Sequence, residues 1–402
     1  MCEKAINASD FKVYLALFDM SKAFDNVERE TLFKYLEEFL EPDELHILSL
    51  LINTPKIRVK VNGKLGNKFE SLLGILQGDC LSAILFIIYL AKTLKNERNI
   101  INPQNLLTLT PKYADDITYL TISEETHEKT LQELPKLLKQ DNLEINSTKT
   151  ELYKIPKPKL PTPPLPTMDE LLQHKDDKIL WSELDWLSNY NPTIKDTTPD
   201  WRKCKLLGSY LDTDKDIENR KKMALETHQK FNKIFKSKII DTKLKIKTFN
   251  IYIACVFLYN SETWSMNTTL ELKVDRFQRK LLRYTLGIQW PDTLSNEQLK
   301  YFAEDYEPWS MTIRRRRLNL LGHIMRLSEE TPVRIAIYEN FKNDKYKVGR
   351  PKQTWLQTVK EDMSKINIVL NLRDPQSIKL LIDLTKDREN WRKTVKTVLM
   401  QF

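Results

Sequence analysis

The stretch that decides the fold is Tyr113-Ala114-Asp115-Asp116, read with the apolar run from Leu106 to Leu109 before it and Ile117-Thr118-Tyr119-Leu120-Thr121-Ile122 after it. Two β-prone runs separated by small and acidic residues predict a tight hairpin with adjacent carboxylates at its tip. Like charges held that close repel unless a cation sits between them, so the pair is either a solvated turn or part of a divalent-metal site. A third carboxylate elsewhere in the chain decides between the two.

Working outward, Val13 to Phe18 is a continuous apolar segment that ends at Asp19, the pattern of a central strand buried on both faces. If that strand lies beside the one that follows Asp116, then Asp19, Asp115 and Asp116 meet at one end of the sheet. Hard oxygen ligands at that density suit Mg²⁺ or Mn²⁺, the ions that serve phosphoryl transfer in pairs.

Between these strands the sequence predicts a helix that starts after Asn26 as N-cap, runs through Leu32, Phe33, Leu36, Phe39 and Leu40, and stops at Pro42. Ile57, Val59 and Val61 before Asn62-Gly63 predict a hairpin. Gly74-Ile75-Leu76-Gln77-Gly78 then opens a buried helix over the apolar run Leu81 to Ala91, which is too short to cross a membrane. Leu131, Leu134, Leu137 and Leu138 predict a further amphipathic helix. The order of strand, helix, hairpin, helix, hairpin, helix fits a split βαβ sheet with helices on one face, an α+β fold. The proline-rich stretch from Lys154 to Thr167 reads as a stiff connector, and the following segment to Trp201, with Trp181 and Trp186, as ordered. From Asp216 onward the periodicity is helical.

Charge is divided unevenly. Residues 201–402 hold 40 basic and 24 acidic side chains, leaving 24 basic and 31 acidic in residues 1–200, so nets of +16 and −7 make up the overall +9. That division suits a chain that gathers metal ions in one half and a polyanion in the other. Four scattered cysteines and five unclustered histidines exclude a zinc site and Cys/His catalysis and point to a reducing compartment, cytoplasmic or nuclear, with neither a signal peptide nor a membrane span.

Taken in order, Asp19-Met20-Ser21-Lys22-Ala23-Phe24-Asp25, Gly74-Ile75-Leu76-Gln77-Gly78-Asp79-Cys80-Leu81-Ser82 and Tyr113-Ala114-Asp115-Asp116 resemble motifs A, B and C of reverse transcriptases, in the form found in non-LTR (LINE-type) retrotransposons. The resemblance implies a reverse-transcriptase palm followed by a helical thumb and a C-terminal helical region. Its bounds are palm with a remnant of the fingers at 1–153, insertion at 154–200, primer-grip hairpin at 201–212, thumb at 213–290 and basic C-terminal region at 291–402. It further implies Mg²⁺ or Mn²⁺ on Asp19, Asp115 and Asp116, with the carbonyl of Met20 completing one shell. Phe24 would exclude a ribose 2′-OH, and Gln77 and Gly78 would lie along the incoming nucleotide.

Leu143 to Glu151 resembles motif D, which makes Lys149 the proton donor to pyrophosphate. Leu206 to Leu211 resembles the primer grip, with Leu207, Gly208 and Ser209 at its turn. Lys236, Lys238, Lys243, Lys245 and Lys247 would track the phosphates of an RNA–DNA heteroduplex, and Arg350 would bind a phosphate. The implied partners are an RNA template, a DNA primer and dNTPs, with the chain a monomer. The run Arg314 to Arg317 resembles the C-terminal region of such elements and otherwise reads as a basic surface face or nuclear-import signal. Only 18 residues precede motif A, so the resemblance implies an N-terminally truncated protein without most of its fingers or an endonuclease; the alternative function is a catalytically inactive retroelement fragment that still binds nucleic acid.

Overall fold

A computed structural model describes residues 13–53, 56–101, 108–155, 203–288, 294–303, 306–329, 353–365 and 375–399, together with a few isolated positions between 331 and 368. The chain divides into two compact units that meet in sequence at Trp201/Arg202. The expected insertion at 154–200 lies outside the described residues except for Lys154 and Ile155, which belong to a strand (Glu151–Ile155) and not to a stiff connector; Gly349-Arg350-Pro351 also lies outside them.

The first unit is built on β1 (Val13–Phe18). Its residues alternate between two buried faces, and it accepts antiparallel neighbours on both edges. On one side lies β6 (Asp116–Thr121), in register Phe18↔Ile117 to Tyr14↔Thr121; on the other lies β7 (Glu151–Ile155), in register Leu17↔Glu151 to Val13↔Ile155. The short strands β4 (Thr108–Leu109) and β5 (Lys112–Tyr113) pair with β6 to complete an antiparallel sheet. Ala16, Phe18, Ile117 and Tyr119 point to the face covered by α1 (Arg29–Leu36), α3 (Ser82–Thr93) and α5 (Glu124–Gln140), which contribute Leu32, Leu36, Phe86, Tyr89, Leu134 and Leu138. A two-stranded ribbon, β2 (Lys56–Val61) and β3 (Lys64–Glu70), stands apart from this sheet and turns at Asn62 (φ 49°) and Gly63 (φ 81°).

Three local expectations differ from the structure. The first helix starts at Arg29, not after Asn26, and ends at Leu36. Asn26 instead donates from Nδ2 to the carbonyl of Ser21 at 3.0 Å, bracing the loop after β1. Pro42 does not stop a helix but opens one, α2 (Pro42–Ile52), because a missing N–H costs nothing in the first turn. Helix α3 is not buried all round, since Ile84 and Ile87 are both 57% exposed on the face turned from the sheet. Strand β7 went unanticipated: it has only five residues, of mixed polarity, and pairs with a strand about 140 positions away.

The second unit is helical after a small hairpin, β8 (Lys205–Leu206) with β9 (Ser209–Tyr210). Helix α6 (Thr213–Lys230), the short α7 (Asn232–Lys236) and α8 (Thr242–Thr248) follow, and α8 widens into a π-helical stretch over Phe249–Ala254. Phe249, Phe257 and Trp264 pack with Val274 and Leu281 of α9 (Thr268–Thr285) and, beyond the short helix α10 (Asn296–Phe302), with Trp309 at the start of α11 (Trp309–Arg326). A second cluster joins Leu318 and Leu321 to α12 (Trp355–Lys365), α13 (Pro375–Lys386) and α14 (Arg388–Leu399) through Val359, Met363, Leu381 and Trp391.

The arginine run is an internal clamp rather than a surface face, so a basic surface patch or import signal at this place is a misreading. Arg314 donates to Asp362 Oδ1 and Glu271 Oε1, both at 2.8 Å, and Arg317, fully buried, donates to Asp362 Oδ2 at 2.5 Å. Arg315 forks onto Glu307 at 2.6 and 2.7 Å, and Arg316 donates to the Leu258 carbonyl at 2.6 Å. Through Glu271 and the shared Asp362, the run ties α11 to α9 and α12 by charge as well as by apolar packing.

Candidate active site

The hairpin of β5 and β6 turns through Ala114 and Asp115, with Tyr113 opposite Asp116. Ala114 sits at φ 52°, a conformation that normally belongs to glycine and that costs roughly 1–2 kcal/mol for an L-residue. The turn is held from below by Glu97, the first residue of α4 (Glu97–Ile101), which accepts hydrogen bonds from Lys112 on β5 and Tyr119 on β6. Because Phe18 pairs with Ile117, the strand ends place Asp19 beside Asp116. Burial, then the charges of Asp115 and Asp19, push the carboxyl of Asp116 above the usual aspartate range.

Beyond Asp19 the chain forms one more bridge, Met20 opposite Ile145, in which Asn146 N donates to the Asp19 carbonyl at 2.7 Å and Ser21 N to the Glu144 carbonyl at 2.8 Å. In a pair bonded through its flanking residues, the carbonyl of Met20 itself points away from Ile145. The same bridge carries in Lys149, whose ammonium lies 3.2 Å from Asp19 Oδ2. A cleft of about 510 Å³ opens beside Asp19, lined by Met20, Ser21, Lys22, Asn26, Glu144, Asn146 and Lys149. Lys22, exposed and in a left-handed conformation (φ 48°), was not singled out in the sequence; a lone lysine inside motif A gives no spacing signal.

The Gly74–Gly78 loop is tied directly to this end of the sheet. Ile75 N donates to the Phe24 carbonyl and Gly74 N to the Val27 carbonyl, both at 2.9 Å. Phe24 is half-buried and stacks on Phe86 at 4.7 Å. Gln77 and Gly78 are exposed beyond it. Gly74 (φ 80°) has no room for a side chain: a Cβ would stand 2.7 Å from the Asp25 backbone, whereas one on Gly78 (φ 93°) would meet nothing within 4 Å. Gly74→Ala is therefore expected to cost about 2–4 kcal/mol, and Gly78→Ala only about 1 kcal/mol. Thermal unfolding of the two variants checks the difference.

By chemistry alone, the carboxylates of Asp19, Asp115 and Asp116 suit a hard divalent cation. Asp19 Oδ2 is buried and receives no hydrogen bond, and the adjacent carboxylates repel one another. Among the described residues, however, no three His, Cys, Asp or Glu side chains are gathered closely enough to enclose an ion, and the Lys149 ammonium supplies the nearest positive charge.

In the second unit, Leu207 (φ 49°) and Gly208 (φ 78°) form the turn between β8 and β9. Tyr259 Oη donates to the Leu207 carbonyl at 2.9 Å, and Arg220 donates to the Gly208 carbonyl at 2.7 Å and to Ser209 Oγ at 3.1 Å. Arg220 in turn lies over the Tyr259 ring at 4.4 Å. Asp216 accepts from Tyr210 N and from Trp264 Nε1. With its carbonyls held by these donors, the turn presents few acceptors to a polyanion. Arg220, Asp216 and Tyr259 carry no motif and escape sequence reading. Lys236, Lys238, Lys243 and Lys247 are exposed on and around α7 and α8, and Lys245 is half-buried; Arg350 lies outside the described residues.

Residues 3–211 match the family model described as reverse transcriptase (RNA-dependent DNA polymerase). A transposon-derived protein of Caenorhabditis elegans, itself uncharacterized, is 23% identical over 303 residues, 74% of this chain and 97% of that protein. Among solved structures, telomerase of Candida tropicalis with the TWJ fragment of telomeric RNA overlaps 79% of this chain at 13% identity and a TM-score of 0.34. The corresponding Candida albicans complex overlaps 84% at 12% identity and a TM-score of 0.33. This chain spans about half the length of those two telomerases, 48% and 50%. The match over residues 3–211 takes in the aspartates, the glycine loop and the β8–β9 turn, and by it the chain belongs to the reverse transcriptase (RNA-dependent DNA polymerase) family.

Proposed function

We propose that the chain is the RNA-directed DNA polymerase of a LINE-type retrotransposon, adding dNTPs to a primer 3′-OH on an RNA template by two-metal-ion phosphoryl transfer. The observation that carries this reading is the placing of Asp19 and Asp116 on paired strand ends, next to a polar cleft that begins at Met20, with the buried Asp19 Oδ2 faced only by the Lys149 ammonium at 3.2 Å. Asp19, Asp115 and Asp116, with the Met20 carbonyl, would hold Mg²⁺ or Mn²⁺. Bound there, the ions would activate the 3′-OH and offset the charge on the leaving pyrophosphate.

The chain's own residues do the rest. Lys22 and Lys149 line the cleft and suit a triphosphate, and Lys149 would give a proton to the departing pyrophosphate. Phe24, fixed by Phe86 and by its carbonyl's bond to Ile75, sets a wall against a 2′-OH. Gln77 and Gly78 would bound the nucleotide on the opposite side. The Leu207–Ser209 turn would seat the primer, and the lysines around α7 and α8 would follow the heteroduplex phosphates.

Primer extension on poly(rA) with oligo(dT) and Mg²⁺ or Mn²⁺ tests the reading, with Asp115→Ala as control. Equal inactivity of both proteins, with RNA–DNA binding intact, would favour an idle fragment, the reading to which the ion pair between Lys149 and Asp19 lends support. At the grip turn, Tyr259→Phe removes a single hydrogen bond. It is expected to raise the KM for primer several-fold while the KM for dNTP is unchanged and the stability stays within about 1 kcal/mol of wild type. Steady-state kinetics with primer and dNTP varied separately read that split.

A further inference from the structure

The β2–β3 ribbon carries a basic face that no part of the polymerase reading uses. Lys56, Arg58 and Lys60 alternate along β2 and so share one side; register places Lys68 opposite Arg58 and Leu65 opposite Lys60 on that side, with Glu70, opposite Lys56, as its one acid. Ile57, Val59 and Val61 share the other side with Phe69 and, opposite Val61, Lys64. β3 holds one extra residue between Leu65 and Lys68, a bulge that increases the local twist without disturbing the alternation of β2.

All four cations are exposed, and among the described residues none has a carboxylate within ion-pair distance. A solvated face is built differently in the same unit: on α5, Lys129 pairs with Glu125 and Lys136 with Glu133. The basic face also stands in the acidic half of the chain. Successive cations on β2 are about 6.7 Å apart, a step close to that between phosphates of an extended nucleic-acid strand.

The ribbon is anchored. Arg29, 8% exposed, donates to the carbonyls of Asn53 at 3.4 Å, on the ribbon's entry side, and of Ser71 at 2.7 Å, on its exit side. The same guanidinium donates to the Gly74 carbonyl at 2.8 Å, at the head of the loop that carries Gln77. A strand held on the ribbon is thereby tied to the loop beside the candidate active site.

We propose that the Lys56–Arg58–Lys60–Lys68 face binds the phosphodiester backbone of a single-stranded nucleic acid. The choice of RNA as the ligand to test rests on the polymerase reading; the binding does not. The measurement is the affinity of the full chain for a single-stranded RNA oligonucleotide, by fluorescence anisotropy over a range of salt and without metal or dNTP.

The variant Lys56→Gln/Arg58→Gln/Lys60→Gln/Lys68→Gln is expected to bind at least tenfold more weakly at 0.15 M salt. Its salt slope is expected to fall by about 2–3, since each single-strand phosphate contact contributes about 0.7. Lys129→Gln/Lys136→Gln/Lys139→Gln on α5 is the charge control and is expected to keep the wild-type slope, as is Asp115→Asn. An unchanged slope in the ribbon variant with an unchanged circular dichroism spectrum would overturn the proposal, and so would ribbon-dependent binding to anionic phosphatidylserine vesicles with none to RNA. Loss of extension in Asp115→Asn with RNA binding intact leaves the two readings separable.

Discussion

Asp362→Asn is expected to destabilise the Arg202–Phe402 unit by about 3–5 kcal/mol, because it removes the carboxylate shared by Arg314 and Arg317 and leaves a buried guanidinium without its counter-charge. In a unit of this size that lowers the melting temperature by roughly 10 °C. Arg317 Nε and Nη2 already lack partners, so no neighbouring acceptor stands ready to take up the loss. Arg315→Gln, on the same run but half-exposed against Glu307, is expected to cost less than about 1 kcal/mol. Differential scanning calorimetry of the full chain distinguishes the two. Equal shifts would show that the run behaves as an ordinary surface.

The second large effect concerns the aspartates of the candidate site. If the proposed mechanism holds, Asp115→Asn lowers primer extension on the order of 10³-fold while RNA binding persists. Its stability in metal-free buffer is expected not to fall. Asp115 is one of the charges that raise the Asp116 carboxyl, and removing it relieves that repulsion. A clear drop in melting temperature would mean that Asp115 is structural, and the lost activity would then say nothing about metal ligation.

What the sequence could reveal followed the range of each signal. The strand Val13 to Phe18, the Asn62-Gly63 turn and the acidic hairpin were legible because alternation, a left-handed turn residue and paired carboxylates are local patterns. Pro42 was misread because proline both ends helices and begins them, and only the fold chooses. The arginine run misled for the opposite reason: its partners Glu271 and Asp362 lie more than forty residues away on either side, so a local count of charge cannot see them. The aspartates of the site were visible, but their supports were not. Glu97 beneath the turn, Arg29 across two loops, and Arg220 with Tyr259 behind the β8–β9 turn all act through long-range contacts.

Arg29 has a consequence for how the family can vary around this site. By gathering the entry and exit of the ribbon onto one buried guanidinium, it separates the ribbon's length from the placement of the loop that bears Gln77. Residues added at the Asn62-Gly63 end would lengthen a loop whose base is already closed, at an entropic cost of only about 0.6 kcal/mol for each doubling. The ribbon is thus an insertion-tolerant module, free to acquire new reach while the geometry around Asp19 stays where the sheet puts it.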